Sequence, residues 1–225
     1  MASQGPKSRR RYRLLAFDWD GTLADSTALI AGALQQACRD LGLAVPADAA
    51  ARHVIGLGHA DAIRHLAPEL EPALHGRFSE RYGVHYLAGD ASIPLFEGVR
   101  EMLAELVERG FLLGIATGKT RRGLARALAQ HGLAHHFTVL RCADEGFPKP
   151  HPDMLLALMQ QAGVEAEETL MIGDTTHDLE LARNAGVAAV AVAYGAHASE
   201  GLVEMAPLAT VHSIAELRAW LKANG

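Results

Sequence analysis

Short apolar runs alternate along the chain with segments whose apolar residues recur at helical spacing. Arg13–Trp19 is apolar and ends in acids. Phe111–Ala116, Phe137–Arg141, Leu170–Ile172 and Val187–Tyr194 follow, and Val211-His212 reads as a weak edge strand. Between these runs lie amphipathic stretches. Val99–Arg109 sets Val99, Leu103, Leu106 and Val107 on one face, and Arg121–His131, Pro152–Ala162, Asp178–Asn184 and Ile214–Ala223 follow the same pattern. Strands that alternate with helices predict parallel βαβ units and an α/β fold. Gly110, Gly132, Gly163 and Gly186 each follow a helical stretch, where a C-terminal glycine is expected.

Residues 25–93 break this rhythm. They contain no strong strand pattern, and Ala28–Leu41, Ala60–Leu66 and Leu74–Leu87 read as helices separated by Pro46, Gly56-Leu57-Gly58 and Pro68–Pro72. An ordinary βα connection is far shorter, so the pattern predicts a helical insertion between the first strand and the second. The expected division is a core of residues 10–24 and 94–225 and a helical insert of residues 25–93.

Composition narrows the class. The chain has 225 residues, of which 49% are hydrophobic and 21% charged, the balance of an ordinary globular protein. No apolar run reaches the roughly 18 residues of a membrane helix, because Asp18 and Asp20 interrupt the most apolar early stretch. A net charge of -5 argues against a dedicated nucleic-acid binder. Cys38 and Cys142 alone make neither a disulfide framework nor a zinc site, which fits a reduced cytoplasmic compartment. Arg9, Arg10, Arg11 and Arg13 form a basic run that no signal-peptide apolar segment follows, so residues 1–9 are expected to be a disordered, solvated tail. Monomer and homodimer both stay open.

Four segments carry chemistry, and each has a plainer reading when taken alone. Asp18-Trp19-Asp20-Gly21-Thr22 places two carboxylates at the C-terminal end of the first strand, where open α/β sheets bind ligands. Close acids can divide labour as nucleophile and proton donor, although a turn with a capping aspartate looks the same. Ala116-Thr117-Gly118 offers a hydroxyl and an amide for phosphate oxygens, or a helix cap before Arg121. Lys149, one of four lysines, sits between Pro148 and Pro150 in a stiff segment that suits a positioned charge. Gly173-Asp174-Thr175-Thr176-His177-Asp178 supplies hard oxygen ligands of the kind Mg²⁺ takes, and Asp178 could cap the next helix.

Taken together and in this order, the four segments resemble the motifs of the haloacid dehalogenase (HAD) superfamily, over residues 13–195. Within it, Asp18–Ser26, the helical insertion and Arg52–Leu66 resemble the phosphoglycolate-phosphatase-like group with a small helical cap. Three positions depart from that pattern: Trp19 stands where Phe is usual, Glu97 where Pro is common, and Gly118 where Asn is frequent. The resemblance implies a HAD-like, Rossmann-like three-layer core carrying a helical cap, acting as an Mg²⁺-dependent phosphatase on phosphoglycolate or a related small-molecule phosphomonoester through an aspartyl-phosphate intermediate. It implies Asp18 as nucleophile and Asp20 as acid and base. Thr117, Gly118 and Lys149 would hold the phosphate. Asp18, Asp20 (through its backbone carbonyl), Asp174 and Asp178 would form the metal site, Asp178 acting less directly. Thr117 and Lys149 count among the catalytic groups.

Other readings are weighed on the same residues. A dehalogenase needs neither the second acid nor the metal acids, which are present here. A phosphonatase of this superfamily needs a cap lysine, and residues 25–93 contain none. A phosphomutase shares all four motifs and stays open. A non-catalytic phosphate-binding module would be expected to have lost Asp18, Asp20 or Lys149. For substrate choice the candidates are Arg52, His53 and His59 near Gly56-Leu57-Gly58, with Arg52 able to meet a substrate carboxylate.

Overall fold

The computed structural model describes residues 11–225, so the expected tail of residues 1–9 lies outside the described residues. Six strands form one parallel sheet: β1 (Leu14–Phe17), β2 (Leu112–Thr117), β3 (Val139–Cys142), β4 (Thr169–Gly173), β5 (Ala188–Val192) and β6 (Thr210–Val211). Their order is β3-β2-β1-β4-β5-β6, with β1 between β2 and β4. The chain reverses its direction of travel across the sheet at β1, the crevice where such sheets take ligands. Phe17 is in register with Ile115 of β2 and Ile172 of β4, so the residues that follow these positions emerge side by side at one edge.

The core-forming helices are α5 (Val99–Glu108), α6 (Arg121–His131), α7 (Asp153–Ala162), α8 (Thr176–Asn184), α9 (Ser199–Glu204) and α10 (Ile214–Asn224); α1 to α4 precede them in the chain. Side chains alternate along each strand, and the two faces meet different helices. Leu15, Phe17, Leu113 and Ile115 pack with Met102, Leu103, Leu124, Leu128, Leu217 and Leu221 of α5, α6 and α10. Leu14, Ala16 and Met171 pack on the other side with Met154, Leu155, Leu158 and Leu181 of α7 and α8. This is the three-layer α/β architecture that the alternation of patterns predicts.

Helices α1 (Thr27–Asp40), α2 (Asp48–His53), α3 (His59–Leu66) and α4 (His75–Asp90) occupy the stretch between β1 and β2. They enclose an apolar cluster of their own, with Leu34, Ala37, Val54, Ile63 and Phe78 at its centre. The chain enters and leaves this insert through adjacent segments: Asp25 N–H donates to the Pro94 carbonyl at 2.9 Å and Phe96 N–H to the Leu23 carbonyl at 3.1 Å. The sequence pattern misses α2 and α9, each only 6 residues long and too short to show a helical period. Among the described residues, no helix is long and apolar enough to cross a membrane.

Candidate active site

Asp18 follows β1 directly, and its N–H extends the ladder by donating to the Ile172 carbonyl at 2.9 Å. The chain then turns sharply, with Gly21 N–H on the Ala24 carbonyl and Gly21 at φ +86. That backbone conformation favours glycine. A side chain at Gly21 would also collide with the carboxylate of Asp174. The turn re-aims Asp20, which is buried and accepts from Ser26 Oγ at 2.6 Å.

Asp18, Asp174 and Asp178 converge at the sheet edge, all fully buried, each with a carboxylate oxygen within 4.8 Å of the others'. Lys149 enters this cluster as a buried cation, its Nζ 2.8 Å from Asp18 Oδ1 and 2.6 Å from Asp178 Oδ1. Asp178 and Asp18 hold the ammonium proton on, against the opposing effect of burial. Burial and the neighbouring acids push Asp18 up to about 7, with Lys149 opposing them. Asp174 is also raised, chiefly by burial and then by Asp18 and Asp178. So much negative charge in one dry site calls for a further cation.

The hydrogen bonds show where that cation belongs. Asp174 accepts from Thr22 Oγ1 at 2.7 Å and from Ala196 N–H at 2.7 Å. Asp178 Oδ2 accepts from Thr175 Oγ1 at 2.7 Å while Oδ1 takes Lys149. Among the described residues, Asp18 Oδ2 is buried with no hydrogen-bond partner. A set of hard carboxylate oxygens with one oxygen unclaimed fits a divalent metal ion. The cap of α8 is Thr175, not Asp178; Asp178 answers it by accepting from Thr175 N–H in a capping box. Its place is thus fixed by the helix start, and its charge is spent on Lys149.

Thr117 ends β2 fully buried, its Oγ1 accepting from Lys119 N–H at 3.2 Å. The cap of α6 is Thr120, which leaves Thr117 and Gly118 outside that helix's capping. A Cβ on Gly118 would lie 2.9 Å from the carbonyl oxygens of both Gly56 and Leu57. Likewise a Cβ on Gly58 would press on the Pro148 ring at 2.7 Å. The insert's backbone therefore rests directly on the core here, which accounts for glycine where asparagine is frequent. Trp19, the other departure near the site, is buried in the sheet core rather than facing the acids.

The structure also supplies a residue that the sequence reading did not single out. Lys119 Nζ lies 3.0 Å from Asp20 Oδ1 and donates to the Tyr86 hydroxyl at 2.8 Å. Its nearness to Thr117 was the available sign, but its partner Tyr86 is distant in sequence. Asp20, Gly118 and Lys119 form one end of a cavity of about 400 Å³ that runs between the core and the insert.

The three substrate-choice candidates part company. His59 lines the cavity, with a buried Nε2 that has no hydrogen-bond partner. Arg52 does not line it; its guanidinium holds Asp48 at 2.7 Å and Thr27 Oγ1 at 2.9 Å. His53 lies outside the cavity lining as well, among His65, His177 and His197, with its ring stacked 5.0 Å from that of His197. Its backbone carbonyl accepts from His177 Nε2 at 2.7 Å and His197 Nε2 at 3.0 Å.

Four strand-end segments gathered around buried acids and one buried lysine define a hydrolase site, and comparison with known proteins agrees. The family model of haloacid dehalogenase-like hydrolases matches residues 15–192, and the chain belongs to that family. A phosphoglycolate phosphatase of Vibrio cholerae is 34% identical over 209 residues, covering 88% of this chain and 92% of that protein. One from Agrobacterium fabrum is 31% identical over 219 residues, covering 93% and 92%. The crystal structure of a hydrolase from Pseudomonas syringae superposes with a TM-score of 0.86 at 24% identity, covering 94% of this chain and 98% of that one. Within the family the chain is a phosphatase.

Proposed function

We propose that the protein hydrolyses a small phosphomonoester through a phosphorylated Asp18, with Mg²⁺ as its metal ion. The observation that carries this reading is the fully buried cluster of Asp18, Asp174, Asp178 and Lys149 at the sheet edge, with one Asp18 oxygen unclaimed. Asp18, the backbone carbonyl of Asp20 and Asp174 would hold Mg²⁺, and Asp178 acts chiefly by fixing Lys149. When bound, the ion offsets the repulsion between a phosphate dianion and the acids.

The residues then divide the work. Thr117, the Gly118 amide and Lys149 bind the phosphate oxygens and orient phosphorus toward Asp18. An oxygen of the Asp18 carboxylate bonds to phosphorus as the bond to the leaving oxygen breaks. Asp20 donates a proton to that oxygen, and the alcohol departs. In the second half Asp20 takes a proton from a water that attacks phosphorus, the Asp18–phosphorus link breaks, and phosphate leaves. Lys119 and Ser26 hold Asp20 in place through both halves. The helical segment 25–93 acts as a cap over residues 10–24 and 94–225, closing the cavity around the leaving group and keeping bulk water out.

The relatives named phosphoglycolate phosphatase make phosphoglycolate the first substrate to try. The test is phosphate release from a panel of phosphomonoesters, with Mg²⁺ and with chelator, for wild type and Asp18→Asn. Release that requires Mg²⁺ and vanishes in Asp18→Asn is the expected result. Release that survives in Asp18→Asn would refute the nucleophile.

A further inference from the structure

The cavity that begins at Asp20 and Lys119 has a chemistry of its own, and it is not that of a site for a small acid. Its wall on the insert side is apolar and aromatic: Leu34, Val54, Ile55, Leu57, Tyr82 and Tyr86. The rings of Tyr82 and Tyr86 stack at 5.7 Å, and His59 lies 5.3 Å from Tyr82, so the aromatic surface is continuous. A volume of about 400 Å³ is room for roughly a dozen waters, far more than a two-carbon acid displaces.

The charges at the wall are already committed. Lys119 pairs with Asp20 at 3.0 Å, and Arg126 pairs with Asp90. Arg52, the one arginine suited by sequence to a substrate carboxylate, is held by Asp48 and Thr27 outside the cavity. Burial, and then His75, lower the His59 pKa and so disfavour its cationic form. A carboxylate entering this space would lose its water and meet, among the described residues, only cations already paired, a costly transfer. An uncharged group with a flat apolar face would instead cover the tyrosines.

We infer that the preferred substrate is a phosphomonoester whose leaving group is uncharged and carries a ring, rather than phosphoglycolate. This rests on the phosphatase reading above and narrows it. Benzyl phosphate, ethyl phosphate and phosphoglycolate test it, because all three release an alkoxide and differ only in size and charge. Benzyl phosphate should give a kcat/KM roughly tenfold or more above phosphoglycolate, with ethyl phosphate between them. Gly83 provides the variant. It lies inside α4 on the cavity wall, and a Cβ there meets nothing within 4 Å. Gly83→Leu should shrink the benzyl-to-ethyl ratio by roughly tenfold. Phosphoglycolate turned over as well as benzyl phosphate, or a ratio unmoved in Gly83→Leu, would overturn this inference and leave the phosphatase reading standing. No release from any of the three, with Mg²⁺ present and the protein folded, would overturn both.

Discussion

Lys119 donates to the Tyr86 hydroxyl at 2.8 Å while its charge sits 3.0 Å from Asp20, so one side chain joins the second acid of the core to a helix of the insert. Lys119→Met should leave Asp20 poorly held and lower kcat by roughly a hundredfold, the usual worth of a positioned acid or base. Tyr86→Phe cuts the link to Lys119, together with the hydroxyl's bond to Asp90, and should cost about fivefold in kcat/KM, near the worth of one hydrogen bond. Steady-state kinetics of the two variants separate the roles. Equal, small effects would mean that Lys119 does not position Asp20.

Gly118 is a contact position as well as a phosphate-binding one. Gly118→Ala sets a methyl group 2.9 Å from two backbone carbonyls of the insert, and backbone does not yield cheaply. The expected loss is about tenfold in kcat/KM with little change in melting temperature. Full activity in this variant would show that the insert can move aside without consequence.

Lys149 neutralises two buried acids at once, so its removal should be felt in stability as well as turnover. Lys149→Met leaves Asp18 and Asp178 facing each other uncompensated, and breaking buried pairs of this kind costs about 3–5 kcal/mol. Pairing it with Asp178→Asn should restore part of that stability and none of the activity. Denaturant titrations of the single and double variants in chelator give the coupling directly. Strict additivity would argue against the pairing.

The histidines over the His53 carbonyl predict a pH dependence. Burial lowers His197 from its ordinary 6.5 to about 4 and lowers His177 as well, so both stay neutral in the fold. The unfolded chain gains those protons first as pH falls. The stability contributed by His197 is therefore complete above pH 6.5 and drains away toward pH 4, and His177 acts in the same direction. His197→Phe should flatten the decline in melting temperature between pH 7 and 5. Parallel curves for wild type and variant would remove His197 from the account.

One stability gain is expected away from all chemistry. Gly32 lies inside α1, and a Cβ there meets nothing within 4 Å. Gly32→Ala should add about 0.5–1 kcal/mol, seen as roughly 1–4 °C in melting temperature.

Much of this molecule was legible in its sequence because its strands are short, apolar and separated by amphipathic helices, so period alone marks the layers. Asp18 and Asp174 declared themselves by type and by position at strand ends, Lys149 by its stiff Pro-flanked segment and Asp178 by its spacing from Asp174, and the fold brings them together. What stayed hidden depends on contacts between distant segments. The role of Lys119 needs Tyr86, and the placement of Arg52 needs Asp48 and Thr27, neither of which a local pattern reveals. The gathering of His53, His177 and His197 likewise spans three elements, so twelve histidines looked scattered along the chain.

The two strands of chain at Asp25–Pro94 and Leu23–Phe96 give the insert a single doorpost. If it acts as the proposed cap, an insert with its own apolar cluster, tethered along one side, would swing as a unit without melting. Besides the close packing of Gly56, Leu57 and Gly58 on Gly118 and Pro148, the polar contacts across this boundary include the Lys119–Tyr86 bond, the two histidine bonds to His53, the Gln130 bonds to Ala91 and Ile93, and the Arg126–Asp90 pair. At about 1 kcal/mol each, net, these polar contacts add only a few kcal/mol to that packing. On the cap reading proposed above, contacts of this strength would let the insert open and close on the microsecond-to-millisecond scale of such motions.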